Sequence, residues 1–320
     1  MDKTLAHRLL SLIGNERRLA HYWPGREAAL LLRLAYPQGA RIADIKRSRF
    51  APLLQRPAVK AVMASAGDGV LSGEMLDVWP HYAPWYCHAL GFKLWGATKK
   101  GAARHKQVSR PGYSLALLLN FSGAHEELYR AIFGRNAEDY FTFYGHPHAD
   151  GHARKTCSWV RIDVAPETGE ALIEEVQNDW LREAGWRHDT AMRRRESEGP
   201  QAEIWVRGET YVAAEKIIRY WQEAAEPHHD VWGEAALSAA LVFLVETVGI
   251  RTIWMHTSAT GARVKRIEGT PPPRSIYEDL PRRFCFERTR EAPRFLSDEV
   301  SKPMRRYLNS GEAEFWRHQF

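Results

Sequence analysis

The chain has 320 residues, of which 44% are hydrophobic and 26% are charged. These proportions are close to globular averages and exclude a disordered or fibrous chain. The formal net charge is +6 at pH 7, which is compatible with a phosphate-bearing partner or with a solvated basic surface. The three cysteines, Cys87, Cys157 and Cys285, are far apart and odd in number. They argue against a disulfide framework and for a reducing compartment, so we expect a cytoplasmic protein.

Two segments bear on membrane association. The first 18 residues carry charges among their leucines and predict a helix, not a signal peptide. The longest apolar run, 235–245, is shorter than the roughly 20 residues that span a bilayer. We therefore expect no membrane association.

The first 110 residues predict a helical region. Helices end at the stop signals Gly14, Pro37 and Gly67. The segment 79–95 is rich in aromatic residues, which favours a packing seam between helices over a base-stacking surface. These aromatic residues are Trp79, Tyr82, Trp85, Tyr86, Phe92 and Trp95.

Residues 111–320 predict a mixed α/β domain. Apolar runs indicate strands, and 3.6-residue periodicity indicates helices between them. Strands alternating with helices are typical of an α/β arrangement. The predicted strands are 113–121, 157–164, 171–180, 251–255 and 283–289. The main predicted helices are 124–133, 211–225, 234–248 and 277–283.

One predicted strand carries most of the polar residues that suggest a site. Alternation along 173–180 places Glu175, Gln177 and Asp179 on one face, together with Ile173. Buried carboxylates need a substrate, a metal or an arginine, so we interpret the three polar residues as candidate catalytic residues. The alternative is an exposed sheet rim whose acids pair with local arginines. Neighbouring acids would raise the pKa of Glu175 and suit it to general-base catalysis, so Glu175→Gln is expected to keep wild-type stability.

The order of strand, helix, strand, helix and strand from 171 to 289 resembles the second half of the GCN5-related (GNAT) acyltransferase fold. The resemblance implies a carboxylate on the central strand as general base and Tyr277 as the acid that protonates the leaving thiolate. It also implies acetyl-CoA as the donor, with its pyrophosphate at a helix N-terminus. Gly233 and Ala235 match the glycine and the final small residue of that binding motif, whereas Asp230 stands in its basic position.

The segment 173–180 also resembles a strand motif of GNAT-like domains in large polyvalent proteins of phages and mobile elements. Asn178 stands where serine is usual, and the spacing to Tyr277 and Pro281 is similar. This resemblance implies phage-related kinship without a defined activity or acceptor.

Two other classes remain open. Asp163, followed across a hairpin by Glu175 and Gln177, is similar to a PD-(D/E)xK nuclease site that holds Mg²⁺ between two carboxylates, with Gln177 replacing the lysine. The other class is a non-catalytic nucleic-acid or partner-binding protein that uses the basic C-terminal region. The arginines of that region are Arg282, Arg283, Arg288, Arg290 and Arg294.

Histidines suggest a further site. His146, His148 and His152, with Cys157, carry the imidazole and thiolate groups that zinc prefers. The glycines and proline around the three histidines favour a polar loop instead, and we assign no metal there. His228 and His229 are interpreted as a loop that precedes a helix, and Cys157 as a buried thiol.

Overall fold

The computed structural model describes residues 1–14, 18–77, 84–97, 107–135, 137–150, 154–267, 269 and 272–320. The chain forms a large mixed β-sheet accompanied by helices, and this confirms the predicted mixed α/β class. The strands in the described part of the chain are β1 (Leu19–Tyr22), β2 (Ala40–Arg41), β3 (Val70–Leu71), β4 (Tyr86–Ala97), β5 (Gly112–Asn120), β6 (Thr156–Ala165), β7 (Glu170–Gln177), β8 (Glu203–Arg207), β9 (Thr210–Ala213), β10 (Thr252–His256), β11 (Glu287–Thr289) and β12 (Phe315–Gln319).

Helices occupy much of the remaining described chain. They are Lys3–Ile13, Arg26–Ala35, Ile42–Ile45, Ala51–Gln55, Pro57–Ser65, Gly73–Leu76, Gly123–Phe133, Trp180–Glu198, Ala214–Tyr220 continuing through Trp221–Ala225 and Glu226–His229, Trp232–Val242 continuing through Phe243–Val248, Ser258–Lys265, Ser275–Asp279 continuing through Leu280–Arg283, Arg294–Glu299 and Lys302–Asn309.

The main sheet has the order β1-β4-β5-β6-β7-β10-β12-β11. Its pairs are antiparallel except β7 and β10, which run parallel. A parallel pair needs a crossover connection, and the helical segment from Trp232 to Val248 lies within it. The pairs β2–β3 and β8–β9 form separate two-stranded sheets.

The principal core lies between the sheet and the crossover helix. Leu117 of β5, Val160 of β6 and Ile253 of β10 share one cluster with Leu237 and Leu241 of the helix, and all five are fully buried. Each such side chain contributes about 1.5–3 kcal/mol relative to exposure. This burial explains why the apolar runs of the sequence became central strands and a buried helix.

The N-terminal part contains more strand than the sequence predicted. The expected aromatic seam between helices is wrong for 86–97, because this segment is β4 and pairs with β5 from Ala89↔Asn120 to Ala97↔Gly112. Trp79 and Tyr82 lie outside the described residues. The division of the chain near residue 110 stays a prediction, although the strands on either side of it are hydrogen-bonded neighbours.

The C-terminal edge also differs from expectation. Of the predicted strand 283–289, only β11 forms, and β12 inserts between it and β10. The predicted strand 171–180 ends at Gln177, because the helix Trp180–Glu198 begins shortly after it. The predicted hairpin between β6 and β7 is present.

A second core belongs to the segment between β7 and the crossover helix. The helix Trp180–Glu198 contributes Trp180, and the helix Ala214–Tyr220 contributes Ile217 and Tyr220. Tyr129 of the helix Gly123–Phe133 packs in the same cluster. Among the described helices, none alone has the length and apolar character to cross a membrane, and one bent pair, Ala214–His229 with Trp232–Val248, meets those criteria only together, at an angle of 45°.

Candidate functional site

A β-bulge in β7 reorganises the predicted site strand. Arg161 of β6 pairs with Glu175, but the next residue, Ile162, pairs with Ile173, so Glu174 is the extra residue. The bulge places both Ile173 and Val176 in the principal core. The expectation that Ile173 shares a face with Glu175 is therefore wrong, because strict alternation does not continue through a bulge.

A cleft opens where β7 and β10 part. Their parallel pairing runs from Glu170↔Thr252 to Ile173↔Met255, whereas β7 continues to Gln177. The cleft has a volume of about 740 Å³. It is lined by the end of β7, the segment 229–234 before and within the crossover helix, Lys265, and the helical residues 275–283.

The cleft brings together four of the six predicted site residues. Glu175, Gln177, Tyr277 and Gly233 all line it. Asp179 is buried next to it, whereas Ala235 lines a different cavity, on the side of the crossover helix that faces β1 and β4. Lys265, which also lines the cleft, was not predicted.

Glu175 is held by two buried cations. Its carboxylate forms an ion pair with Arg161 and lies 3.9 Å from Lys265 Nζ. Burial opposes ionisation of Glu175, but the charges of Lys265 and Arg161 outweigh it and lower its pKa. The expectation of a raised pKa is wrong, because the groups that face Glu175 are cations and not a second acid. A carboxylate with a lowered pKa is a weak general base.

Glu174, the bulged residue, is the most enclosed acid near the cleft, with 1% of its surface exposed. It accepts hydrogen bonds from Ser109 N at 3.1 Å and Ser109 Oγ at 2.6 Å. Ser109 Oγ also lies 2.8 Å from His256 Nε2, and Lys265 Nζ donates to the backbone oxygen of Glu174 at 3.0 Å. Burial disfavours the ionised carboxylate, but His256, Arg161 and Lys265 together lower its pKa to about 2.

We expect the stability contributed by Glu174 to depend on pH. Because its folded pKa of about 2 lies below the ordinary value of 4.5, its contribution is complete above about pH 5 and is lost as the pH falls toward 2. The advantage of the wild type over Glu174→Gln should shrink by about 2–3 kcal/mol across that window. Urea unfolding of both proteins at several pH values measures it. A constant difference would show that folding does not lower the pKa of Glu174.

Asp179 anchors a loop. Its carboxylate accepts hydrogen bonds from Trp159 Nε1 at 3.1 Å, Gln177 Nε2 at 2.7 Å and Arg182 at 2.8 Å, and lies 3.1 Å from His146 Nδ1. Burial raises its pKa, but His146, Trp159 and Arg182 outweigh that effect and lower it. These contacts indicate a positioning role for Asp179 at the start of the helix Trp180–Glu198.

The loop that carries the predicted histidines is held in place by Asp179. His146 contacts Asp179, and His148 Nδ1 lies 2.8 Å from the backbone oxygen of His146. His152 lies outside the described residues. The described part of the loop therefore provides no group of free imidazoles for zinc.

Tyr277 lies close to the bulge. Its side chain is buried, the Val176 backbone N–H lies close to its hydroxyl, and Lys265 Nζ is 5.8 Å from its ring centre. Burial and the charge of Glu175 raise its pKa above the ordinary value. The hydroxyl is therefore protonated at neutral pH.

The start of the crossover helix does not suit a pyrophosphate. Its N-cap, Val231, provides no side-chain hydrogen bond, Asp230 precedes the cap, and Glu234 lies in the first turn. Arg283, which lines the cleft, is already paired with Glu234 and with Glu27, the latter at 2.9 Å. Gly233 instead permits close packing, because a Cβ there would lie 3.3 Å from Ile276 Cδ1. The residues at this helix end therefore do not fit the diphosphate of acetyl-CoA.

The nuclease geometry is not assembled either. Asp163 is buried in ion pairs with Arg110 Nε at 2.6 Å and the Met1 amine at 3.0 Å. Glu175 has its own cations, so the two carboxylates are neutralised separately. No pair of carboxylates in this part of the described chain is available for Mg²⁺.

The basic C-terminal region is largely paired with acids. Arg282 contacts Glu278 and Asp279, and Arg288 contacts Glu278 and Glu314. Arg294 lies 3.7 Å from Glu170, and Arg283 is paired as described above. These ion pairs reduce the charge that the region presents, and nucleic-acid binding stays a prediction. Lys99, Lys100, Arg104 and Lys106, an earlier basic cluster, lie outside the described residues.

No protein family model, no curated protein and no solved structure matches the chain.

Proposed function

We propose that the protein is a GNAT-like acyltransferase, or a relative that keeps this fold, and that the cleft beside β7 is its acyl-transfer site. The observation that carries the proposal is the separation of the parallel strands β7 and β10 at a bulge. It leaves the Val176 N–H and the Tyr277 hydroxyl together inside the cleft.

The order of elements supports this proposal. β7, the crossover helix, β10, the helical residues 275–283 and β11 occur in the order that the resemblance implies, with the helix Ser258–Lys265 added after β10. Tyr277 lies on the expected helix and lines the same cleft as Glu175. The segment 180–229, with its own core, is inserted between β7 and the crossover helix.

The cleft suits the thioester end of a donor. A carbonyl oxygen beside β7 can accept a hydrogen bond from the Val176 N–H, and such a donor stabilises developing negative charge. An acceptor amine would attack the carbonyl carbon, forming the C–N bond as the C–S bond breaks. Tyr277 then supplies the proton to the departing thiolate and regains one from the nitrogen of the new amide, so that protons balance.

Glu175 has a different role from the one that the resemblance implies. Its lowered pKa and its ion pairs with Arg161 and Lys265 make it a positioning residue that fixes Lys265 at the cleft wall. The acids at the helix N-terminus oppose a diphosphate. We therefore infer a donor whose thioester enters the cleft without a diphosphate at that helix.

The proposal predicts selective binding and turnover of a small thioester. S-acetylpantetheine should raise the unfolding midpoint of the full chain, and acetyl-CoA should not raise it further. With a panel of primary amines, thiol release from S-acetylpantetheine should fall about 10²–10⁴-fold in Tyr277→Phe, because the general acid is lost. Differential scanning fluorimetry and a colorimetric thiol assay measure the two effects.

Tyr307→Phe is the matched control. Tyr307 is also a buried tyrosine, but it packs in the core near β10 and β12, away from the cleft lining, so its variant should retain the thiol-release rate. Two results would contradict the proposal: no stabilisation by S-acetylpantetheine at millimolar concentration, or equal rates in Tyr277→Phe and the wild type.

A further inference from the structure

Three residues with metal-binding side chains meet at the end of the sheet where β4 and β6 begin and β7 stops. His88 belongs to β4, Cys157 to β6, and His228 to the helix Glu226–His229. Their potential ligand atoms all lie within 4.8 Å of one another. In a tetrahedral zinc site, bond lengths of about 2.0–2.3 Å place ligand atoms roughly 3.3–3.8 Å apart. Small side-chain movements therefore suffice to close this group around an ion.

Three of the four ring nitrogens of the two imidazoles lack a hydrogen-bond partner among the described residues. Both ring nitrogens of His88 and the Nδ1 atom of His228 are buried without a hydrogen-bond partner among the described residues. His88 has only 1% of its surface exposed. A buried polar group without a partner is costly, and a metal ion would satisfy these nitrogens. This observation is independent of the distances.

The protonation states agree with this geometry. Burial and the charges of His21 and His125 lower the pKa of His88 to about 4. Burial and the charges of His88 and His125 lower the pKa of His228 to about 3. Both rings are therefore neutral at physiological pH, which is the form that binds metals. Burial raises the pKa of the Cys157 thiol, so metal binding must release its proton.

We propose that His88, Cys157 and His228 bind a Zn²⁺ ion. Two imidazoles and one thiolate are ligands that zinc prefers, and three protein ligands leave a fourth position for water. The sequence did not reveal this site, because its ligands are separated by long stretches of chain and the sequence pattern grouped Cys157 with the loop of His146. The fold brings Cys157 to His88 and His228 instead.

The ion would connect the inserted segment to the sheet. His228 directly precedes His229 and Asp230, which line the cleft. A bond from His228 through the ion to β4 and β6 fixes this wall of the cleft. The proposed metal would therefore hold the chain that leads into the crossover helix, with its fourth position open to water.

Metal titration of the full chain tests the proposal. After removal of metals with a chelator, the protein should take up one Co²⁺ per chain, with the absorption band of a thiolate bound to cobalt, and Zn²⁺ should displace it. The apparent affinity should rise roughly tenfold per pH unit, because one thiol proton is released. Cys157→Ser should lose the thiolate band, whereas Cys87→Ser, from a half-buried position on β4, should keep it.

A second pair of variants covers the case in which Cys157→Ser does not fold. His228→Ala alters a partly exposed residue and should weaken Zn²⁺ binding by more than about 100-fold, since loss of a direct ligand exceeds the 10–100-fold effect of outer-shell changes. His229→Ala, at the exposed neighbour, should bind normally. Uptake well below one ion per chain, a thiolate band that persists in Cys157→Ser, or equal affinity in the two histidine variants overturns the proposal.

Discussion

Glu175→Gln should lower the free energy of unfolding by about 3–5 kcal/mol, because it leaves Arg161 and Lys265 as adjacent buried cations without their shared anion. The Arg161 side chain is 2% exposed and that of Lys265 is 1% exposed, so solvent cannot replace the lost partner. Urea or guanidinium unfolding at neutral pH measures the change.

Glu215→Gln is the control for this experiment. Glu215 pairs with Arg195, but the Glu215 side chain is 64% exposed, and an exposed pair contributes about 0–1 kcal/mol. The sequence alone predicts a different outcome, in which Glu175→Gln is as stable as the wild type and only function is lost. That result would show that the ion pairs do not hold Glu175, and the general-base role would return.

Gly96→Ala should cost about 2–4 kcal/mol, because it combines backbone strain with a collision. Gly96 has φ = 113°, and a Cβ there would lie 2.3 Å from the backbone oxygen of Gly112 on the paired strand β5. The adjoining chain carries Ser109 and Arg110, which hold Glu174 and Asp163. We therefore expect the variant to disturb the buried acids as well as the strand pair.

Gly134→Ala separates the two causes. Gly134 has a similar φ of 104°, but nothing lies within 4 Å of the added Cβ. Its cost should be limited to the backbone term, about 1 kcal/mol. Equal losses in the two variants would mean that the collision at Gly112 is relieved by a shift of the strands, and that only the conformation of Gly96 matters.

The central strands were accessible to sequence reasoning because they are buried on both sides. The apolar runs of β5, β6 and β10 have no competing interpretation, and the turn between β6 and β7 has its usual residues. β4 was missed, because its histidine, glycines and lysine hide the alternation and its pairing with β5 is non-local. The helix Trp180–Glu198 was missed because it is strongly polar and has little apolar periodicity.

The sequence predicted several residues that line the cleft, but it did not predict the charges that surround Glu175. Strand alternation and the resemblance brought Glu175, Gln177 and Tyr277 to one cleft. The cations that decide the state of Glu175 come from other elements, Arg161 from β6 and Lys265 from the helix Ser258–Lys265. A single sequence gives no signal for such pairing. The bulge at Glu174 is equally hidden, because an extra residue is visible only against the partner strand.

The inserted segment between β7 and β10 has a consequence for how the chain folds. β7 and β10 are the only parallel neighbours among the described strands, and the chain between them must be closed into a long loop before they can pair. Loop closure of this kind slows folding through its entropy. The hairpin β8–β9 and its two flanking helices pack on one another around a core that residues 121–157 complete. We expect this unit to order first and shorten the effective loop, so that the joining of β7 to β10, and with it the formation of the cleft, is the late step.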